Sequence, residues 1–206
     1  MRIQRAQLRK YFIMGSQDCT RSPEEILLEA AKAGITAFQF REKGPGSLSG
    51  SAKLELGKKL RKICSEYGIL FIINNDVELI EPLQADGIHV GQQDERTDTI
   101  RARFPDTIIG LSVTNIEEAS RPSMACADYV GAGPVYRTAT KIDAKEPVGT
   151  AWIRELRAFL PEMPMVAIGG ITPDNARLSL DAGADGVAVV SAITKSGNIR
   201  ETVARL

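Results

Sequence analysis

"MVAIGGITPDNARLSLDAGADGVAVVSAI" (165–193) contains two short apolar runs separated by a helical pattern. The runs "MVAIGG" (165–170) and "GVAVVSAI" (186–193) are rich in Val, Ile and Ala and are bounded by glycine, which is typical of strands buried on both faces. The amphipathic segment "TPDNARLSLDAG" (172–183) between them predicts a helix. A strand–helix–strand unit of this kind predicts two parallel strands joined by a crossover helix.

The same alternation extends over the whole chain. Six more strand candidates precede this unit, at 11–15, 37–42, 70–74, 87–90, 108–113 and 129–136. Helical patterns lie at 22–34, 52–68, 77–84, 97–104, 115–125, 150–160 and 198–206. Eight such units favour an α/β fold, a single (β/α)8 TIM barrel over residues 1–206, with residues 1–10 as an N-terminal helical extension. An open doubly wound sheet is the alternative, although no GxGxxG follows the first strand.

A weak internal repeat supports the barrel. "QADGIHVG" (84–91), "CADYVGAG" (126–133) and "GADGVAVV" (183–190) each place Ala-Asp after a helix and before a strand. We expect Asp86, Asp128 and Asp185 to close turns at the stability face, because barrel chemistry occurs at the opposite, carboxyl ends of the strands.

Composition limits the classes of partner. The 206 residues are 43% hydrophobic, with 26 Lys and Arg balanced by 26 Asp and Glu, so no bulk charge favours nucleic acid or an anionic membrane. The start "MRIQRAQLRKYFIMG" has no apolar signal-peptide core, and no apolar run is long enough to span a bilayer. Three cysteines without metal-site spacing indicate reduced thiols and a cytoplasmic protein. The sequence leaves a homo-oligomer open.

Strand two ends in a cationic segment. In "FQFREK" (38–43), period-two alternation puts Phe38 and Phe40 toward the helices and Gln39, Arg41 and Lys43 toward the barrel mouth. A guanidinium and an ammonium together suit a phosphate or diphosphate. The alternative is a pair of solvated charges on a loop.

Polar residues also follow strands three to five. "FIINNDVELI" (71–80) ends a buried run in Asn74, Asn75 and Asp76, of which Asp76 is expected to cap the helix of 77–84. Asp94 follows strand four and is either an oxygen ligand for Mg²⁺ or a helix cap. Strand five offers Ser112 as a neutral hydrogen-bonding group. The lone His89 is interpreted as a satisfied interior side chain.

The last three strands predict an anion site. The loop after strand six carries Thr138, Thr140 and Lys141, which can fold around an anion or form an ordinary turn. Gly169 and Gly170 lead into a helix, where glycine lets backbone N–H groups approach a phosphate. Val190 and Ser191 close strand eight, and loops after strands seven and eight are the usual phosphate site of such barrels.

Taken together, these residues resemble the thiamine-phosphate synthase family over essentially the whole chain. The shared pieces are "YFIMGS", "QFREK", "NNDVEL", "DGIHVGQQD", "GLSV", "ADYVGAGPVY", "TATK", "VAIGGITPDNA" and "GADGVAVVSAI". The resemblance implies an enzyme, a transferase that joins a hydroxymethylpyrimidine diphosphate to a thiazole phosphate, giving thiamine phosphate and pyrophosphate, with Mg²⁺ as cofactor. It also implies a dissociative substitution that needs no strong base.

The resemblance assigns roles to residues. The pyrimidine-diphosphate segment corresponds to Gln39, Phe40, Arg41, Glu42, Lys43, Asn74, Ser112 and Lys141, of which Arg41, Lys43, Ser112 and Lys141 are the expected catalytic groups. The thiazole-phosphate site corresponds to Thr138, Ala139, Thr140, Gly170, Val190 and Ser191. The metal positions correspond to Asn75 and Asp94. The family normally has Asp where this chain has Asn75, and usually Pro where it has Arg137.

Three other functions stay open at this point. A thiazole tautomerase shares the barrel and the phosphate site but needs neither diphosphate nor metal, and a neutral residue at position 75 is a step toward it. A non-catalytic binder of thiamine precursors is the second. An unrelated phosphate-binding barrel isomerase is the third, although it does not explain "QFREK" together with "TATK".

Overall fold

Eight parallel strands close into a barrel in this computed structural model, which describes residues 3–138 and 146–206. Each strand pairs with the next, and the eighth pairs with the first. The strands are β1 (Lys10–Met14), β2 (Ala37–Phe40), β3 (Leu70–Asn74), β4 (Gly87–Val90), β5 (Ile108–Val113), β6 (Tyr129–Ala132), β7 (Met165–Ile168) and β8 (Gly186–Val189). The predicted barrel fold is confirmed.

Helices connect the strands. Within the described ranges they are α1 (Pro23–Ala33), α2 (Gly50–Tyr67), α3 (Thr97–Arg103), α4 (Ile116–Ala119), α5 (Gly149–Phe159), α6 (Ala176–Asp181), α7 (Ser191–Thr194) and α8 (Ile199–Ala204). The ends of α1 follow its sequence: Pro23 occupies the first turn, the Ser22 hydroxyl accepts the Glu25 N–H at 3.4 Å, and Gly34 ends the helix in the left-handed region. No described helix is long and apolar enough to cross a membrane.

The N-terminal segment differs from the prediction. The expected helical extension over 1–10 is a 3-10 helix at Arg5–Leu8, and Lys10 already belongs to β1. Ile3 and Leu8 are buried under the barrel, and a Cβ at Gly186 would lie 1.9 Å from the Leu8 carbonyl oxygen. The backbone of Leu8 and Arg9 thus packs directly against β8, and the chain turns from the 3-10 helix straight into β1.

Proline shortens two other predicted helices. The pattern over 77–84 forms a 3-10 helix only at Val77–Leu79, since Pro82 lacks an N–H group and its ring clashes with the preceding turn. Asp76 precedes it without a side-chain cap and instead accepts the Lys53 ammonium at 2.7 Å. The pattern over 115–125 likewise divides into α4 and a 3-10 helix that starts at Pro122.

The predicted stability face lies at the amino ends of the strands. Asp86, Asp128 and Asp185 accept the backbone N–H groups of Phe71, Ile109 and Met165 at 2.7, 2.8 and 2.8 Å. Each carboxylate also pairs with an arginine from a helix: Arg61 of α2, Arg101 of α3 and Arg157 of α5. The repeat therefore fastens three helices to the bottom of the barrel, away from its mouth.

Apolar side chains form two layers. The larger cluster, which includes Phe38 and Phe40, fills the space between strands and helices. The smaller one fills the barrel interior and consists of Ile3, Leu8, Tyr11, Ile13, Ala37, Ile72, Ile108, Tyr129, Val166 and Ala188. The interior becomes polar toward the carboxyl ends of the strands, where Gln39 is 3% exposed. This change positions a polar mouth above an apolar base.

Candidate functional site

A cavity of about 660 Å³ opens at the carboxyl ends of the strands. The predicted site residues among its lining are Gln39, Arg41, Lys43, Asn74, Asn75, Asp94, Ser112, Thr138, Gly170, Val190 and Ser191. Residues separated by more than a hundred positions in the chain therefore share one concave surface. Ala139, Thr140 and Lys141 lie outside the described residues.

Phe40 and Glu42 are not in the lining of this cavity. Phe40 is 1% exposed and stacks on Phe71 with ring centroids 6.3 Å apart, between the sheet and the helices. The Glu42 carboxylate accepts hydrogen bonds from Ser16 N at 2.5 Å, Ser16 Oγ at 2.9 Å and Leu48 N at 2.7 Å. Because even positions of this segment face away from the mouth, the side chains of both residues hold the fold. Any contact with a ligand would use their backbone.

Arg41 and Lys43 provide a cationic wall. They line both this cavity and an adjoining hollow, to which Arg137, Ser191 and Lys195 also contribute. The Gln17 amide holds the Arg41 carbonyl oxygen at 2.9 Å, which fixes the segment that carries the two cations. The two hollows together can accommodate more than one anionic group.

The glycine turn after β7 lies against the loop after β6. Gly169 and Gly170 have φ values of 98° and 64°, which glycine adopts without strain. A Cβ at Gly170 would lie 2.5 Å from the Arg137 carbonyl oxygen, so only glycine allows this approach. The Asn175 amide donates to the Gly170 oxygen at 3.0 Å, and α6 begins only at Ala176, four residues after the predicted start at Thr172. Val190 and Ser191 line the same hollow as Thr138 and Gly170, so the loops after β6, β7 and β8 meet at one place.

Asn75 and Asp94 face each other at the mouth. The Asn75 Nδ2 atom donates to Asp94 Oδ1 at 2.8 Å, and Gly91 N donates to Asp94 Oδ2 at 2.7 Å. Asn75 has φ 61°, a left-handed conformation that asparagine tolerates. Asp94 does not cap α3, whose N-cap residue is Arg96.

This pair offers a partial site for Mg²⁺. Among the described residues no group of three or more His, Cys, Asp and Glu side chains is arranged around a metal position. One carboxylate and one amide nevertheless suit Mg²⁺, which is commonly held by one or two carboxylates together with phosphate oxygens of a substrate. The donor set therefore fits the ion only when an anionic ligand completes it.

Three aromatic residues in the cavity lining were not predicted as site residues. Tyr11 and Tyr129 lie in the cavity floor with their hydroxyl oxygens 2.8 Å apart, and burial raises the pKa of both phenols. His89 has the interior partners expected of it, Tyr129 at 3.0 Å and Ser112 at 2.9 Å, yet it also borders the cavity. The signal that could have identified them is strand parity, which places Tyr11, Gln39 and His89 on inward positions.

Comparison with known proteins agrees with this geometry. The family model described as thiamine monophosphate synthase matches residues 10–193. A thiamine-phosphate synthase of Oceanobacillus iheyensis is 52% identical over 206 residues, covering 100% of both chains. That of Anoxybacillus flavithermus is 49% identical over 204 residues, covering 99% of this chain and 94% of the relative.

A solved structure shows the same likeness in three dimensions. The thiamine phosphate pyrophosphorylase of Pyrococcus furiosus superposes with a TM-score of 0.87 at 34% identity, covering 98% of this chain and 95% of the other. The chain therefore belongs to the thiamine monophosphate synthase family, and the transferase function predicted from its sequence, that of a thiamine-phosphate synthase, is confirmed.

Proposed function

We propose that the chain joins an aminopyrimidine carrying a diphosphomethyl group to a phosphorylated thiazole at this mouth, and releases pyrophosphate. The observation that carries the proposal is the meeting of the Arg41–Lys43 wall with the glycine turn of β7, two anion sites that border one cavity. One site serves a leaving diphosphate and the other a phosphate that is retained.

The pyrimidine diphosphate is assigned to the β2–β5 side of the mouth. Gln39, Asn74 and Ser112 offer amide and hydroxyl groups to the heterocycle and to the first phosphate oxygens, while Arg41 and Lys43 neutralise the diphosphate. Lys141, outside the described residues, is proposed as a third cation. Phe40 and Glu42 are retained only as backbone contacts.

The thiazole phosphate is assigned to the β6–β8 side. Thr138, Gly170, Val190 and Ser191 border the place where the two hollows join, so a phosphate there leaves its thiazole ring directed toward the cavity. Ala139 and Thr140 complete the proposed site from outside the described residues. The glycine backbone supports the assignment because it permits close approach of N–H groups to phosphate oxygens.

The chemistry proposed is a dissociative substitution. The bond between the methylene carbon and the diphosphate oxygen breaks, and its electron pair leaves with pyrophosphate. The thiazole nitrogen then donates its lone pair to the carbon and forms the new C–N bond. No proton needs to be removed from either substrate, so stabilisation of the leaving group by Arg41 and Lys43 and close placement of the nitrogen supply the rate.

Mg²⁺ is proposed to be held by Asp94 and the amide oxygen of Asn75, with diphosphate oxygens as the remaining ligands. When bound, the ion would neutralise charge on the leaving pyrophosphate. The Gly91 N–H group orients the Asp94 carboxylate. The Asn75 amide, whose Nδ2 atom donates to Asp94 Oδ1, would have to rotate to present its oxygen to the ion.

Small molecules are proposed as the only substrates, without nucleic acid or membrane. The balance of 26 basic and 26 acidic residues supports this, since recognition then depends on the local cations of the mouth. A cytoplasmic location is proposed on the free thiols of Cys19, Cys64 and Cys126.

The decisive experiment mixes the purified protein with both substrates and Mg²⁺ and follows pyrophosphate and thiamine phosphate together. Equal amounts of the two products are expected. Conversion of a thiazole tautomer without pyrophosphate release would instead support the isomerase, and binding without any product would support the non-catalytic binder.

A further inference from the structure

Five polar side chains form a continuous hydrogen-bonded series across the floor of the cavity, which we call the floor chain. Gln39 Nε2 lies 2.9 Å from Tyr11 OH, and Tyr11 OH lies 2.8 Å from Tyr129 OH. Tyr129 OH lies 3.0 Å from His89 Nδ1, and His89 Nε2 lies 2.9 Å from Ser112 Oγ. The series joins five different strands, β2, β1, β6, β4 and β5.

The direction of these hydrogen bonds follows from counting protons. An amide NH₂ group can only donate, so the Tyr11 oxygen accepts from Gln39 and directs its own hydrogen to Tyr129. Tyr129 then accepts from Tyr11 and directs its hydrogen to His89 Nδ1. Both phenols keep their protons because burial raises the pKa of each. His89 Nδ1 is therefore an acceptor, and its proton resides on Nε2.

The imidazole has little freedom to leave this arrangement. A Cβ at Gly110 would lie 2.5 Å from His89 Nδ1 and 2.2 Å from the Tyr129 ring, and a Cβ at Gly131 would lie 3.0 Å from His89 Cε1. The backbones of β5 and β6 are thus packed against the ring where any side chain would collide with it. The ring plane, and with it the direction of the Nε2–H bond, is fixed by the barrel.

We propose that Tyr129 is a positioning residue, through which the hydrogen-bond direction set by the Gln39 amide reaches His89. Tyr129 thereby holds His89 as the Nε2–H tautomer. The Ser112 hydroxyl hydrogen is then left to be donated into the cavity. Since Ser112 Oγ accepts from His89, its own hydrogen points toward a ligand oxygen. The floor chain thereby sets Ser112 as a donor. Its consequence for turnover rests on the proposed function, in which Ser112 faces the leaving diphosphate.

Nitrogen-15 NMR of the ring tests the tautomer directly, because the chain has a single histidine. Protein grown with ring-labelled histidine should give one protonated-type signal, from Nε2, and one unprotonated-type signal, from Nδ1. Proton coupling assigns the two. A wild-type spectrum with the proton on Nδ1, or with both nitrogens protonated, overturns the proposal without any variant being needed.

Two variants test transmission through the floor chain. Gln39→Glu replaces the donor by an acceptor, which should reverse every hydrogen bond and move the proton to Nδ1. Tyr129→Phe keeps the ring but removes the hydroxyl, which should let both tautomers exchange and draw the two nitrogen signals toward each other. Tyr67→Phe, at an exposed position of α2, is the matched control and should leave the spectrum unchanged. Unchanged wild-type signals in both floor-chain variants would contradict the proposal.

Kinetics separate this proposal from the proposed function. Tyr129→Phe should lower kcat about tenfold, less than the ~100-fold or more expected when a transition-state donor is removed outright, with KM little changed. A wild-type protein without synthase activity would refute the proposed function while the tautomer measurement still decides the polarity. An active wild type with Nε2–H and a Tyr129→Phe variant of unchanged kcat would refute the role in positioning Ser112.

Discussion

At position 41, the effect of a substitution on turnover can be separated from its effect on the stability of the fold. The Arg41 guanidinium has one hydrogen bond within the described residues, to the Lys43 carbonyl at 3.4 Å, so it contributes little to holding the fold. We expect Arg41→Ala to lower kcat by about 100-fold or more, because the donor proposed for the leaving group is lost. The free energy of unfolding should change by about 0.5 kcal/mol or less. Pyrophosphate release and urea unfolding measure the two effects.

The control for this variant is Arg103→Ala. Arg103 is half-exposed, pairs with the exposed Glu78 and lies outside the lining of both hollows. Arg103→Ala removes the same charge as Arg41→Ala and should leave turnover unchanged. Equal loss in both variants would mean that Arg41 acts only through the overall charge of the protein.

In the proposed metal site, the residue at position 75 is expected to set how strongly the protein itself holds Mg²⁺. Asn75→Asp places a second carboxylate within hydrogen-bond distance of Asp94, where the amide now donates at 2.8 Å. We expect the Mg²⁺ concentration for half-maximal turnover to fall. The metal-free variant should also melt at a lower temperature than wild type, because two like charges then face each other, and Mg²⁺ should restore it.

Calorimetric titration of Mg²⁺ with and without pyrophosphate provides the check that does not depend on activity. Wild type should bind the ion measurably only when pyrophosphate is present, whereas Asn75→Asp should bind it alone. Identical titrations for the two proteins would remove position 75 from the metal site.

Among the secondary-structure elements, the arginine–aspartate pairs at the amino ends of the strands carry stability without chemistry. Asp185 is 13% exposed and accepts both Met165 N and Arg157 Nη2. Asp185→Asn removes the charge that Arg157 faces. We expect a loss of about 2–3 kcal/mol in the free energy of unfolding, with kcat unchanged below the unfolding transition.

Asp98→Asn is the matched control at the element scale. Asp98 pairs with Arg96 where both side chains are more than half exposed, 52% and 74%. An exposed ion pair contributes little to stability because solvent screens it, so this variant should unfold close to wild type. A similar cost in both variants would show that burial of the pair does not matter.

The cysteines report on the burial of individual elements. Burial raises the pKa of the Cys64 thiol in α2 to about 12. Burial, and to a smaller extent the nearby Asp18 carboxylate, raises the pKa of the Cys19 thiol to about 12. At pH 8 both are protonated, and their alkylation should accelerate only as pH rises toward 12. Native protein treated with iodoacetamide at pH 8 should keep both thiols, whereas urea-unfolded protein should lose them. Rapid labelling of Cys64 in native protein would contradict this.

At the scale of the whole molecule, the bottom of the barrel depends on Leu8. It is fully buried among interior side chains, so Leu8→Ala leaves a cavity and should cost about 2–5 kcal/mol of unfolding free energy. Leu178→Ala, at an exposed leucine, is the control and should cost little. Urea unfolding measures both.

The sequence predicted the strands because apolar runs bounded by glycine are local signals. The predicted bounds of β3, β4 and β5 are confirmed, whereas the carboxyl ends of β6 and β8 were placed too late, at 136 and 193. Those two ends are set by Pro134 and by the turn into α7. The segment 1–10 was predicted as a helix because its packing under β8 is not encoded locally.

The site was predictable in part for the same reason. Alternation alone placed Gln39, Arg41 and Lys43 at the mouth. The juxtaposition of Asn75 and Asp94 at the mouth was also expected from the sequence, and the two side chains are in contact. The contact of Tyr11 with Tyr129 depends on how the closed barrel brings distant strands together, which a single sequence does not reveal.

Each of the three carboxylates at the amino ends of the strands accepts a hydrogen bond from one backbone amide. Phe71, Ile109 and Met165 each donate their N–H to one of these aspartates, in β3, β5 and β7. Their hydrogen–deuterium exchange therefore follows the opening of three separate sectors of the barrel. Equal exchange free energies at the three amides would mean that the closed sheet opens as one cooperative unit. Faster exchange at the Met165 amide would mean that the sector around β7 opens before the sectors around β3 and β5.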